Sequence, residues 1–356
     1  MALTINTNIS SIIAQRSLNN ATTAMNTSIE RMSTGYKINH AKDNAAGYSI
    51  ANSWETKLGS LDVASDNAAT GLDLLTTAEE TYGLLVSHLQ RVRDLTEQAA
   101  NGTYGSQSLK AIQSEVSARL YEINRLSANS EFNGIKLMAY NKDGDNDGVG
   151  ITAAGVNLQV GLYADKNSTI NLSVDLFANA SLSGLFKGMA ETEYKTVDDT
   201  GAEATESLGS LIKAAGGSET LDNLGDVDGI EAFAAACCGL KYVAPTGTGT
   251  SATPAKYYLQ ESASFGAKEM LAFLDSAIND ISSRVTSIGA AQNRVQSAVT
   301  PLDVQSQNLT SSLSTLRDTD IAEESSNYIQ QQILQQASAT LLSTANQLPS
   351  IALNLV

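Results

Sequence analysis

Apolar residues recur at alternating steps of three and four along two long stretches of the chain. That spacing keeps one stripe of a helix facing a partner. From Leu61 it selects Leu61, Ala64, Ala68, Gly71, Leu75, Ala78, Tyr82, Leu85, Leu89, Val92, Thr96 and Ala99, of which only Thr96 is polar. From Leu271 it selects Leu271, Leu274, Ile278, Ile281, Val285, Ile288, Gln292, Val295, Val299, Leu302, Ser306, Leu309, Leu313 and Leu316, with Gln292 and Ser306 as polar breaks. A shorter stripe, Leu109, Ile112, Val116, Leu120, Ile123 and Leu126, predicts a third helix. Helices with single apolar seams must pack on one another, which sets the two ends of the chain side by side. Leu85, Leu89 and Val92 from the first stripe, and Ile278, Ile281 and Val285 from the second, are the expected packing positions. Pro301 falls inside the second stripe and predicts a kink or a local break.

Between these stripes the period changes. Glu131-Phe132-Asn133-Gly134-Ile135-Lys136 carries an Asn-Gly turn signal. Leu158, Val160 and Leu162 alternate, Ala164 to Ser168 turn, and Ile170, Leu172 and Val174 alternate again, which predicts a β-hairpin. Residues 177–264 mix short helical pieces, Glu206 to Ala215 and Gly229 to Ala236, with Gly/Thr/Pro loops such as Ala244 to Gly249. The fold class expected is mainly α, with long coiled-coil helices from both ends packed together, a β-hairpin and a small inserted α+β domain.

Charge sharpens this division. Residues 1–138 carry 11 basic and 13 acidic groups, residues 139–264 carry 7 and 17, and residues 265–356 carry 4 and 8. The middle is thus a separate acidic region, and the formal net charge of −16 gives no electrostatic basis for binding nucleic acid or an anionic membrane. Before Glu30 the only charged side chain is Arg16, and none follows Glu324. A solvated surface normally holds about 25–35% charged residues, so these ends are expected to be covered in the working state. The C-terminal stripe there runs through Tyr328, Leu334, Ala337, Leu341, Ala345, Leu348, Ala352 and Leu355. No stretch reaches the ~20 apolar residues of a membrane span. The start lacks the basic region and apolar run of a cleaved secretory signal.

Several motifs together resemble one family. Ile5-Asn6-Thr7-Asn8, Ser33 to Asn39, Ala41-Lys42-Asp43-Asn44-Ala45-Ala46-Gly47, Leu89 to Leu95, Phe132-Asn133-Gly134, Gln331 to Ala337 and Ala345-Asn346-Gln347 look like the terminal signatures of bacterial flagellin. The likeness covers roughly residues 1–176 and 265–356, with both ends in order. It implies a structural subunit of the flagellar filament, serving swimming motility and located in the extracellular flagellum. In that family the termini pair as a coil lining a hollow tube, adjacent helices and the hairpin form the wall, and the insert projects outward.

The implied division is a filament-core helix in 1–40, the N-terminal part of the wall in 41–176, a variable exposed insert in 177–264, the C-terminal wall helix in 265–316 and a second core helix in 317–356. Ile5, Ile9, Ile12, Leu334, Ala337, Leu341, Ala345 and Leu348 are then the core-packing residues. Ordering about sixty terminal residues costs on the order of 60–120 kcal/mol, which two lone amphipathic ends do not offset but a lattice of copies does. The termini are therefore expected to order only in the filament. The resemblance also implies export unfolded through the flagellar type III channel, which fits the missing signal. The partners it implies are further copies of the chain, an export chaperone, and the hook-associated junction and cap proteins. A hook–filament junction protein, which shares the terminal signatures, is the alternative.

Flagellins sensed by a Toll-like receptor as monomers present an arginine and a leucine of one helix and a glutamate of the next. By resemblance these map to Arg91, Leu95 and Glu115, although Asp94 and Thr96-Glu97 depart from the usual pattern. Arg91 and Leu95 share a face, and Arg91 lies off the seam, leaving its guanidinium free. The other reading is a solvated face with an Arg91–Asp94 pair.

No catalytic set stands out, and neither an enzyme nor a cofactor is expected. Asp143, Asp145 and Asp147 copy the start of a calcium-binding EF-hand loop, but its twelfth position is Ala154 instead of a bidentate Glu. An exposed acidic turn is favoured over a weak calcium site. Cys237-Cys238 follows an alanine run and reads as two small buried thiols rather than a strained vicinal disulfide or a metal pair. His40 and His88 read as surface or packing residues, and Gly247-x-Gly249 lacks the helix a dinucleotide site needs. His-Glu-x-x-His and Gly-x-Ser-x-Gly are absent from the sequence.

Overall fold

The fold is a computed structural model that describes residues 8–138, 151, 155–163, 165–186, 193–197, 203–207, 212, 227–243, 256–259 and 263–353. In chain order the helices are α1 (Ile9–Thr34), α2 (Ala45–Ala99), α3 (Ser106–Asn129), α4 (Leu182–Phe186), α5 (Val227–Cys237), α6 (Ala263–Arg317) and α7 (Ile321–Leu353). The strands form four antiparallel hairpins: β1 (Glu131–Phe132) with β2 (Ile135–Lys136), β3 (Val156–Gln159) with β4 (Thr169–Leu172), β5 (Glu193–Val197) with β6 (Glu203–Ser207), and β7 (Leu240–Val243) with β8 (Lys256–Leu259). The expected class holds, mainly helical with helices from the two ends of the chain packed together. The chain divides into two compact units, a terminal unit of Met1–Val63 with Pro301–Val356 and a body unit of Ala64–Thr300.

Helix ends follow from local polar chemistry. Asn8 caps α1 by accepting from the Ser11 amide at 3.1 Å, and Gly35, at φ 75°, ends it by donating its amide to the Arg31 carbonyl. The Ala41–Gly47 motif then closes the link to α2. Asp43 Oδ2 accepts from the amides of Asn39 and His40, and Asn44 Oδ1 accepts from the Gly47 amide at 2.9 Å. A Cβ at Gly47 would lie 2.8 Å from Ile38 Cδ1, so that position is held small. Asp320 caps α7 in the same manner, accepting from the Ala322 amide at 2.8 Å.

The seam of α2 is buried at all twelve stepped positions. On α6 one position per heptad is buried, Leu274, Ile281, Ile288, Val295 and Leu302, while Ile278 and Val285 are half-buried and packed against the body core. The α3 stripe is buried from Leu109 to Ile123. Asn133 (φ 50°) and Gly134 (φ 80°) form the expected tight turn. The β3–β4 hairpin aligns Val156 with Leu172 and lies so close to α2 that a Cβ at Gly71 would sit 2.3 Å from Leu158.

Three expectations need correction. Of the kink or break expected at Pro301, the break does not occur: α6 is continuous through this exposed residue. Glu206 and Ser207 end strand β6 instead of starting a helix. Exposure of 177–264 does not extend to Leu182, Leu185 and Phe186, nor to Ile230 and the run from Ala232 to Leu240, which is buried throughout; the apolar side chains among these lie in the same core as the α2 seam.

Candidate assembly interface

α1 and α7 pack antiparallel along most of their lengths. Ser11, Ala14, Leu18, Ala21, Met25, Ser28 and Met32 of α1 step by three and four, and each is buried or half-buried. Glu324, Tyr328, Gln331, Gln335, Ser338, Leu342 and Ala345 do the same on α7. The buried layers are thus Ala14, Ala21 and Ser28 against Glu324, Ser338 and Ala345, all but Glu324 small side chains that let the backbones approach. Register is set by polar groups. Asn8 Nδ2 donates to the Ala345 carbonyl at 2.7 Å, Ser11 Oγ to Asn346 Oδ1 at 2.7 Å, and Gln335 Nε2 to Thr22 Oγ1 at 3.1 Å. Arg31 reaches Glu324 at 3.7 Å. At the far end Arg317 stacks over the Tyr36 ring at 4.2 Å and pairs with Glu55 at 3.0 Å.

Among the described residues, the isoleucines of this coil and two of its leucines point the other way. Ile9 is 61% exposed, Ile12 52%, Ile13 60%, Ile333 60%, Leu334 46% and Leu341 62%. Ile13 and Leu341 rim a groove of about 510 Å³ whose floor is Ala14, Ser338 and Ala345. Its lining carries no charge. An uncharged surface with isoleucines and leucines outward and a small-residue seam inward suits burial against other helices.

On the body unit, Arg91 Nε donates to Glu115 Oε1 at 2.9 Å, across from α2 to α3, and Arg119 lies 3.9 Å from the same carboxylate. The hydrogen bond with Arg91 holds the Glu115 carboxyl below its ordinary range and raises Arg91 in turn. Next to this pair Arg93 bridges to Asp275 of α6 at 2.5 Å.

The family is decided by sequence matches at both ends. Residues 5–143 match the model of the bacterial flagellin N-terminal helical region, and residues 271–356 match that of the C-terminal helical region. The chain is 32% identical to polar flagellin F of Vibrio parahaemolyticus, with 100% of each chain covered. It is 33% identical to flagellin B of Vibrio cholerae, again over 100% of both. The chain belongs to the bacterial flagellin family. Among solved structures, that of FliC from Burkholderia pseudomallei matches over 63% of this chain and 99% of its own at 20% identity and a TM-score of 0.36, so the flagellin assignment rests on the sequences.

Within this flagellin the expected core residues separate by role. Ile9, Ile12, Leu334, Ala337 and Leu341 face outward, whereas Ala345 belongs to the seam inside the coil. Leu348 lies within α7, and Ile5 is outside the described residues, as are Asp143, Asp145 and Asp147 and the Gly247–Gly249 loop. Leu85, Leu89, Val92 and Ile281 are fully buried in the body core.

Two features of the Arg91 patch need correction. Leu95 is 2% exposed and packs inward, so it is not offered beside Arg91, and the Arg91 guanidinium is engaged by Glu115 rather than free. Cys237 and Cys238 are buried free thiols, and burial pushes Cys237 up to about 12. His40 pairs with Glu30 at 2.8 Å on the surface, and His88 lies 3.5 Å from Arg119. Among the described residues no group of three His, Cys, Asp or Glu could hold a metal, and no helix is long and apolar enough to cross a membrane. Reading hydrophobic stripes missed the inner seam of the coil; the signal was the 3-4 spacing of alanine and serine, which a search for large apolar residues passes over.

Proposed function

We propose that this flagellin is the structural subunit of a flagellar filament and that copies of it assemble by burying the outward faces of their α1–α7 coils. The observation that carries this reading is the exposure of Ile9, Ile12, Ile13, Ile333, Leu334 and Leu341 on a coil bearing almost no charge. Each large aliphatic side chain buried against a neighbour contributes about 1.5–3 kcal/mol, so a lattice supplies what the single chain forgoes. The relatives that match over their whole length are named flagellins, which supports the filament subunit over the junction protein. Extracellular placement follows from the same role. Export unfolded through the flagellar channel, with a chaperone covering the α7 stripe beforehand, suits a chain whose ends are uncharged and apolar. The filament so formed joins hook-associated junction protein at its base and a cap at its tip. The monomer also presents Arg91 and Glu115 for a Toll-like receptor, with Leu95 acting only as support beneath them.

Electron microscopy of purified protein under polymerising conditions tests the assembly. The full chain forms long filaments, and a chain lacking residues 325–356 stays monomeric with its body folded. Filaments from the truncated chain would refute the role given to the coil. For the receptor, Arg91→Ala lowers binding of the monomer by about tenfold or more; equal binding by the variant removes that partner.

A further inference from the structure

The acidic middle of the chain contributes one helix that does not behave as part of a separate domain. Along α5, Ile230, Ala232, Phe233, Ala234, Ala235 and Cys237 are between 0% and 1% exposed, in the core that also contains Leu89, Val92, Val116 and Leu120. Phe233 meets Phe186 of α4 with ring centroids 4.8 Å apart. A polar contact sits at the edge of this packing. Glu231 Oε2 accepts from Gln113 Nε2 at 2.5 Å and from Ser117 Oγ at 2.9 Å, and the Tyr121 hydroxyl lies 3.4 Å from Oε1. Gln113, Ser117 and Tyr121 are spaced by four on α3 and share one face. Gln113 and Ser117 are themselves buried, at 3% and 5% exposure, an unusual choice for a helix flank that water covers. The polar member of the α2 seam is satisfied within its own helix, the Thr96 hydroxyl donating to the Val92 carbonyl at 2.9 Å.

We infer that α5 is a fourth helix of the flagellin body, latched to α3 by the Glu231 carboxylate, and that the partner of the Gln113–Ser117–Tyr121 face is this helix of the same chain. The Gln113 amide and the Ser117 hydroxyl converge on one carboxylate oxygen of Glu231, which accepts from both. The buried polar positions of α3 are thereby matched to the polar group of α5. A freely tethered insert would leave the buried polar groups of α3 without such matching. The latch also seals both thiols beneath it, which makes them reporters of whether α5 is docked.

The full chain is tested by labelling with an aromatic disulfide reagent under native conditions. Both cysteines of the unchanged protein react slowly, at a rate set by opening of α5. In Glu231→Ala the rate rises about tenfold or more while the far-ultraviolet helical signal is kept. A labelling rate in Glu231→Ala within about twofold of the unchanged chain overturns the latch. Should Glu231→Ala lose its helical signal, Ser117→Ala decides, because it deletes one donor and little volume: faster labelling supports the latch and an unchanged rate overturns it.

Discussion

Both units are built on heptad seams, yet the α2 seam of the body places Leu, Tyr and Val among its small residues, while the buried layers of the terminal coil are Ala and Ser apart from Glu324. In the body the large apolar residues face one another, and Tyr82 even finds carbonyl acceptors, at Leu176 and Ala178, for its buried hydroxyl. In the coil the isoleucines and two leucines face away. The body thus buries its large apolar residues within one chain, whereas the coil leaves many of its own exposed. Small seam residues hold α1 and α7 together closely but release little free energy, since each buried methyl is worth about 0.8 kcal/mol. The difference shows how one sequence can encode a stable fold and an assembly device with the same periodicity, by choosing which stripe receives the large residues.

Introducing a carboxylate into each unit breaks or sharpens this contrast most strongly. Leu89→Asp buries an unpaired charge in the body and should remove roughly 3–5 kcal/mol of stability, read as a large fall in the thermal midpoint of the monomer. Leu341→Asp should shift that midpoint by no more than about 0.5 kcal/mol and yet abolish filaments in the electron microscope. Equal effects on monomer stability would erase the distinction.

Alkaline titration gives the next largest effect, and it is confined to the body. Burial raises Cys237 from 9.0 to about 12, so the folded state resists its ionisation. The stability contributed by the neutral buried thiol is whole below pH 9.0 and is lost as pH rises toward about 12. It amounts to something on the order of 4 kcal/mol. Denaturant titrations across that window should show the decline, and Cys237→Ala should lessen it, leaving the part due to Cys238, which burial also raises.

Overpacking comes third. Ala21→Leu in the coil and Gly71→Ala against Leu158 should each cost about 1–3 kcal/mol, the first seen as loss of helical signal from the termini and the second as a lower body midpoint. The smallest effect belongs to Arg91→Ala. Its ion pair with Glu115 is solvent-exposed, and such pairs contribute little. The monomer midpoint should not move measurably, so any loss of receptor binding reports the contact itself.

What could be read from the sequence follows from how strongly each feature repeats. The α2 seam repeats over more than five heptads with aliphatic residues, and its burial is complete. Asn133-Gly134 specifies its turn because few other pairs adopt two positive φ angles in succession. The core of the coil was hidden because alanine and serine report no side of a helix. Leu95 was misplaced for a related reason. It lies four residues after Arg91, but also three after Val92, and the buried face of α2 is wide enough there to include both Val92 and Leu95. The hairpins β5–β6 and β7–β8 join polar and aromatic residues in short runs, with no sustained alternation to announce them. Gln113 and Ser117 lie off the α3 stripe, and the carboxylate they meet, Glu231, is more than a hundred positions away in the sequence.

The coil joins residues that are more than 300 positions apart, Asn8 with Ala345 and Ser11 with Asn346. Its timing in folding follows from that separation. While the chain is being made, α1 has no partner until nearly the last residue has emerged, and closing so long a loop early is entropically unfavourable. The body brings its own distant segments together first, as where Gln292 meets Glu79 at 2.8 Å, and this shortens the span left to close. Closing the coil last is the order that loop entropy favours. A pause between closing the body and zipping the coil is a period in which both ends remain available to other molecules.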